Sequence, residues 1–93
     1  MSDTVSKEVT LQNLKGLHAR ATSAFVKVAE GFKSDITLQK EDGTSVCGKS
    51  IMGILMLGMP MGESLTITAT GDDAAAAVQA LSDLVDAKFG EDA

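Results

Sequence analysis

Apolar and polar residues alternate through residues 5–11, and a period of two predicts a half-buried strand. Asn13, Lys15 and Gly16 follow as a loop. Over residues 18–31 the period lengthens. Ala21, Phe25, Val28 and Phe32 recur at helical spacing and predict a helix with a single apolar stripe, ended by Gly31. Alternation returns over residues 35–40, with Ile36 and Leu38 on one side and Thr37 and Gln39 on the other. Asp42-Gly43 is a hairpin signal, and residues 44–48 supply the returning strand. Residues 50–57 predict a short helix with Ser50 as its N-cap, closed by Gly58 and Pro60. A fourth strand over residues 64–70 turns Leu65, Ile67 and Ala69 inward. Asp72 and Asp73 then open a last helix, which carries Ala77, Val78, Leu81, Leu84 and Val85 towards Gly90.

The predicted order is β-α-β-β-α-β-α. Thr10, Thr37, Gln39, Thr66, Thr68 and Thr70 fall on the other side of the strands, so one sheet face meets water and the helices must share the opposite face. This predicts an α/β (α+β) open-faced sandwich with a four-stranded antiparallel sheet and three helices. Residues 1–93 form one domain, too short for two cores, and only the two ends read as loose.

Charge narrows the function classes. The formal net charge is −5 and the eight basic residues are scattered, which argues against a nucleic-acid partner. Cys47 is the lone cysteine and His18 the lone histidine, so neither an internal disulfide nor a zinc site is expected. Met1-Ser2-Asp3-Thr4 lacks the basic and apolar regions of a signal peptide. The longest apolar run, 51–61, is broken by glycines and too short to cross a bilayer. A soluble cytoplasmic protein without cofactor, metal or membrane insertion is the expectation.

Gly43-Thr44-Ser45-Val46-Cys47-Gly48-Lys49-Ser50 matches the nucleotide-binding P-loop pattern letter for letter. That motif needs a flexible glycine-rich loop between a buried strand and a long helix. Residues 44–47 instead read as a hairpin strand, which cannot wrap around phosphates. The match is a coincidence of pattern.

His18 stands in Gly16-Leu17-His18-Ala19-Arg20-Ala21, where the strand-like segment gives way to the first helix. The first turn of a helix presents unpaired N–H groups and the positive end of the dipole. At or beside the N-cap, the ring of His18 faces those donors, which can hold a phosphoryl group bound to it. Gly16 allows the tight turn before it, and Arg20 can add a charge-assisted contact to the same oxygens.

These residues, with Gly48-Lys49-Ser50-Ile51-Met52-Gly53-Ile54 and Leu57-Gly58, make the chain resemble the HPr family. Members are histidine-containing phosphocarriers of the bacterial phosphoenolpyruvate-dependent phosphotransferase system. The resemblance covers nearly the whole chain and departs at Ala21, where the family usually has proline after the arginine. Alanine keeps a good helix start and adds an amide donor.

The resemblance implies that His18 accepts phosphate from enzyme I through its δ1 nitrogen and passes it to enzyme IIA domains, with Arg20 contacting the phosphate. It assigns the partner surface to Ala19, Arg20, Ala24, Ile51, Met52, Leu55, Met56 and Gly58. Geometry agrees for the second helix: if Ile54 and Leu57 face the sheet, Ile51, Met52, Leu55 and Met56 lie largely outward, and an exposed apolar patch suits adaptable docking. Ser50 matches the serine that HPr kinase/phosphorylase modifies in many relatives. A phosphate there sets about two negative charges beside the patch and should weaken docking. The carrier is expected to be a monomer and not a self-sufficient enzyme. Sugar transport and nitrogen or carbon regulation both remain open as its pathway.

Two other functions fit the sequence less well. A purely regulatory HPr-like domain would act through Ser50 and have no need of His18 with Arg20. A small acidic acyl-carrier module would be a helical bundle, against which the hairpin and alternating strands argue.

Overall fold

The computed structural model describes residues 3–93; Met1 and Ser2, which belong to the start read as lacking a signal peptide, lie outside the described residues. Four strands form the sheet: β1 (Asp3–Thr10), β2 (Asp35–Lys40), β3 (Ser45–Cys47) and β4 (Ser64–Gly71). Three helices interleave with them: α1 (Ala19–Ala29), α2 (Ile51–Leu57) and α3 (Ala74–Asp86), and a 3-10 turn follows at Lys88–Gly90. Spatial order across the sheet is β1-β4-β2-β3, antiparallel at every pairing.

Period-two patterning works as the sequence requires. Ile36, Leu38, Leu65, Ile67 and Ala69 are buried on one face. On the other face hydroxyls meet across β1 and β4: Thr4 with Thr70 at 3.1 Å, Ser6 with Thr68 at 2.9 Å and Thr10 with Ser64 at 3.0 Å. These cross-strand pairs let a solvent-facing surface stay β-structured without an apolar cover. The helices close the other side, where Phe25, Ile54, Leu81 and Val85 complete the core.

The buried faces of the helices differ from the expected stripes. In α1 the buried residues are Ala21, Thr22, Phe25, Val26 and Ala29, whereas Val28 and Phe32 are half-buried. The helix is rotated because it packs against both α2 and α3, so a wider arc than one stripe is covered. Its end is as expected: the C-cap is Glu30, and Gly31 follows immediately past the helix.

At α3 the N-cap Asp73 makes no capping hydrogen bond with its own helix. Its carboxylate instead accepts the amides of Lys33 at 2.8 Å and Ser34 at 3.0 Å together with the Ser34 hydroxyl. Asp73 thereby ties the loop after α1 to the start of α3. These bonds, led by the Ser34 hydroxyl and the Lys33 amide, hold its carboxyl below the ordinary aspartate range. Helix α3 ends at Asp86, short of Gly90, and Leu84 is only half-buried.

The hairpin between β2 and β3 turns through Asp42-Gly43, as the pattern predicts. Residues 45–47 therefore lie in a strand, and the P-loop reading falls with them. Among the described residues no helix is long and apolar enough to cross a membrane.

Candidate functional site

The site begins with a loop that leaves no room for a side chain at Gly16. Gly16 has φ +63, and a Cβ added there would lie 2.2 Å from the Met59 carbonyl oxygen. Any side chain would therefore push the loop off the segment before β4. The next amide, that of Leu17, donates to the same Met59 carbonyl at 2.9 Å. This pins the backbone immediately before His18.

His18 is the N-cap of α1, extended at φ −79 and ψ −178. The first helical bond runs from Thr22 N–H to the His18 carbonyl at 2.9 Å, so the amides of Ala19, Arg20 and Ala21 precede any intrahelical acceptor. Of these, the Arg20 amide donates to His18 Nδ1 at 3.4 Å, a long and weak contact. The side chain of His18 is 27% exposed, so the ring is reachable but fixed.

The other ring nitrogen meets a residue that local patterning does not single out. His18 Nε2 lies 2.5 Å from Glu91 Oε2. The second oxygen, Glu91 Oε1, accepts from Asn13 Nδ2 at 2.9 Å, and that same Nδ2 donates to the Gly16 carbonyl at 2.8 Å. Asn13 is fully buried. Its amide, followed by the His18 ring, holds the Glu91 carboxyl below the ordinary glutamate range, which keeps the carboxylate ionised.

Glu91 reaches this position through strained backbone. Lys88 and Phe89 have φ of 57 and 56, and Gly90 has φ 80. Two consecutive non-glycine residues in the left-handed region cost about 1 kcal/mol or more each. Phe89, packed against the core, helps to hold the bend. The end expected to be loose is instead folded back over the histidine loop. A cavity of about 330 Å³ opens beside it, lined by Leu14, Lys15, Arg20, Phe89 and Glu91 among others.

Arg20 is exposed and makes no ion pair among the described residues, so its guanidinium is available to an anion near the α1 start. Ala19 is exposed as well, and Ala24 is half-buried.

At α2, Ser50 is the N-cap and its Oγ accepts the Gly53 amide at 3.1 Å. Gly58 caps the other end in the left-handed conformation. Ile54 and Leu57 are buried, while Ile51, Met52, Leu55 and Met56 are exposed, the last by 79%. Leu14 and Met61, which helical spacing does not reach, are exposed too.

A family model described as "PTS HPr component phosphorylation site" matches residues 5–87. The chain belongs to the HPr family.

Phosphocarrier protein HPr of Neisseria meningitidis serogroup A is 40% identical over 87 residues, which is 94% of this chain and 97% of that protein. Phosphocarrier protein NPr of Shewanella violacea is 42% identical over 88 residues and 94% of each chain. The crystal structure of HPr-C-His from Thermoanaerobacter tengcongensis superposes with a TM-score of 0.91 at 40% identity, covering 96% of this chain and 99% of that one. The HPr-like open-faced sandwich expected from the strand and helix order is the fold of this chain.

Sequence reasoning missed Asn13 and Glu91. Asn13 carries only the weak signal of an asparagine in a loop. Nothing in local periodicity brings Glu91 to a histidine 73 residues away.

Proposed function

We propose that this chain is a phosphocarrier of the phosphotransferase system and that His18 is the residue that takes up and releases the phosphoryl group. Enzyme I is the donor and enzyme IIA domains are the acceptors. The protein acts as a monomer in the cytoplasm. One observation carries the assignment: the δ1 nitrogen of a partly exposed histidine meets the Arg20 amide at 3.4 Å, one of the three amides that open α1 ahead of any intrahelical acceptor. Those amides and the dipole attract phosphoryl oxygens, and Arg20 extends the same field from the first turn.

In-line transfer between two nitrogens demands position and charge dispersal more than covalent assistance. The pinned Gly16–Leu17 backbone supplies position. Limited burial supplies reversibility, because a phosphoryl group held by a few surface donors is easily handed on.

Docking uses Ala19, Arg20, Ala24, Ile51, Met52, Leu55, Met56 and Gly58 around the α1 start and the outward face of α2. Apolar side chains exposed together in this way are uncommon on a surface without a partner. Ser50 is the regulatory position, modified by an HPr kinase/phosphorylase. Its Oγ already sits at a helix N-cap, where a phosphate is tolerated by the backbone while its charge opposes apolar contact beside it.

Incubation with phosphoenolpyruvate and enzyme I should place one acid-labile, base-stable phosphate on the protein, detected as an added phosphoryl mass. His18→Ala should abolish it. A label of the same stability on the variant would overturn the assignment.

A further inference from the structure

We infer that Glu91 is a positioning residue for the phosphoryl-carrying histidine. Its carboxylate fixes the His18 ring as the Nε2–H tautomer and so leaves Nδ1 as the unprotonated nucleophile. This inference rests on the assignment of His18 as the carrier and concerns how that ring is made ready.

Two contacts made by the ring demand the same proton placement. An ionised carboxylate only accepts, so at 2.5 Å from Glu91 Oε2 the Nε2 atom must be the donor. The Arg20 amide only donates, so Nδ1 must present its lone pair. A neutral imidazole has one nitrogen of each kind, and its outer partner decides which. The Nδ1 contact is long at 3.4 Å and is no strong anchor. Ring orientation therefore depends chiefly on Glu91.

Glu91 is itself held as a positioning group should be. Its second oxygen is bound by the amide of buried Asn13, and the same amide nitrogen binds the Gly16 carbonyl. The carboxylate is thus referenced to the loop that carries His18. The chain reaches it by three successive residues of positive φ, Lys88, Phe89 and Gly90.

The proton count follows. In uptake, the Nδ1 lone pair forms a bond to the phosphorus of a donor phosphohistidine, whose own N–P bond breaks with its electron pair returning to the donor nitrogen. The Nε2 proton of His18 stays in place. The phosphorylated ring then carries positive charge, and the Glu91 carboxylate lies beside it. On transfer to an acceptor, the Nδ1–P bond breaks, its electrons return to Nδ1, and the ring is again neutral and Nε2–H. Glu91 exchanges no atom in either direction.

The test compares the unaltered protein with Glu91→Ala and Glu91→Gln by ¹⁵N NMR of the imidazole and by the rate of phosphorylation from enzyme I. The unaltered ring should show the Nε2–H signature. Glu91→Ala should shift it towards a tautomer mixture and slow phosphorylation roughly tenfold, the lower end of what an orienting partner of a working histidine contributes. Glu91→Gln keeps an oxygen acceptor for Nε2–H, so it should retain the signature and recover part of the rate. A residue that merely ties down the chain end would leave the ring nitrogens unmoved. Unchanged nitrogen shifts, or an unchanged rate in Glu91→Ala, overturns the role of Glu91 while His18 labelling in the unaltered protein stands. Absence of that labelling would instead overturn the carrier assignment itself.

Discussion

Single side chains here do work that depends on what they face. Arg20 leaves its guanidinium in solvent at the first turn of α1, so its removal disturbs no packing. Arg20→Ala should slow phosphoryl transfer about tenfold, for a lost charge-assisted contact of roughly 1.4 kcal/mol, while circular dichroism and thermal midpoint stay as they were. Unaltered kinetics would remove the arginine from the chemistry. Asp73 acts on stability instead. Its folded carboxyl titrates below the ordinary value of 3.8, so its contribution is fully present above that pH and lost as pH falls through the folded value. Asp73→Asn should therefore lower the thermal midpoint at pH 7, and the gap from the unaltered protein should narrow as acid protonates the folded carboxyl. A gap independent of pH would show that charge is not what the Ser34 and Lys33 contacts recognise.

Loops and helix ends show where a backbone geometry is required and where it is only preferred. Gly16 and Gly58 both have φ +63, yet their surroundings differ. Around Gly58 nothing lies within 4 Å of an added Cβ, so Gly58→Ala meets only the left-handed conformational penalty, about 1 kcal/mol. At Gly16 the same penalty is joined by a clash with backbone, the Met59 carbonyl and Pro60. Gly16→Ala should cost about 3 kcal/mol, and because His18 lies two residues on, it should also slow phosphorylation. Urea unfolding of the two variants measures the contrast; equal losses would mean that the loop yields at little cost. Helix α2 is likewise bounded by two caps, Ser50 and Gly58, which lets seven residues keep one buried and one outward face. Both caps were legible from residue type and spacing. The rotation of α1 was not: Val26 and Ala29 are buried in a helix that packs against both α2 and α3, an arrangement that local spacing does not specify.

Across the molecule, a sheet wet on one side forces all three helices onto the other, and α1 and α2 come into contact there. The proposed docking face is therefore continuous with the proposed phosphoryl site. A charge placed at the head of α2 should be felt by a partner seated over both. Ser50→Asp is expected to weaken enzyme I binding about tenfold, as calorimetry would measure, with the fold intact. Equal affinity would count against docking through α2.

The chain order of strands and helices, the hairpin at Asp42-Gly43, the inward rows of β2 and β4, and His18 at the head of a helix were all present in the linear pattern. Each depends on residues within a few positions of one another, where periodicity, turn preference and capping act directly. Three features were decided only by tertiary structure: the tie from Asp73 to the loop after α1, the buried Asn13, and the return of the chain end that brings Glu91 to His18. They join residues 39 to 78 positions apart, and such contacts follow from how helices lie on a sheet, which no local rule encodes. The same physics separates the two halves of the site. A helix start announces itself in its own sequence, whereas a carboxylate brought from the far end of the chain acquires its role only once the core has closed.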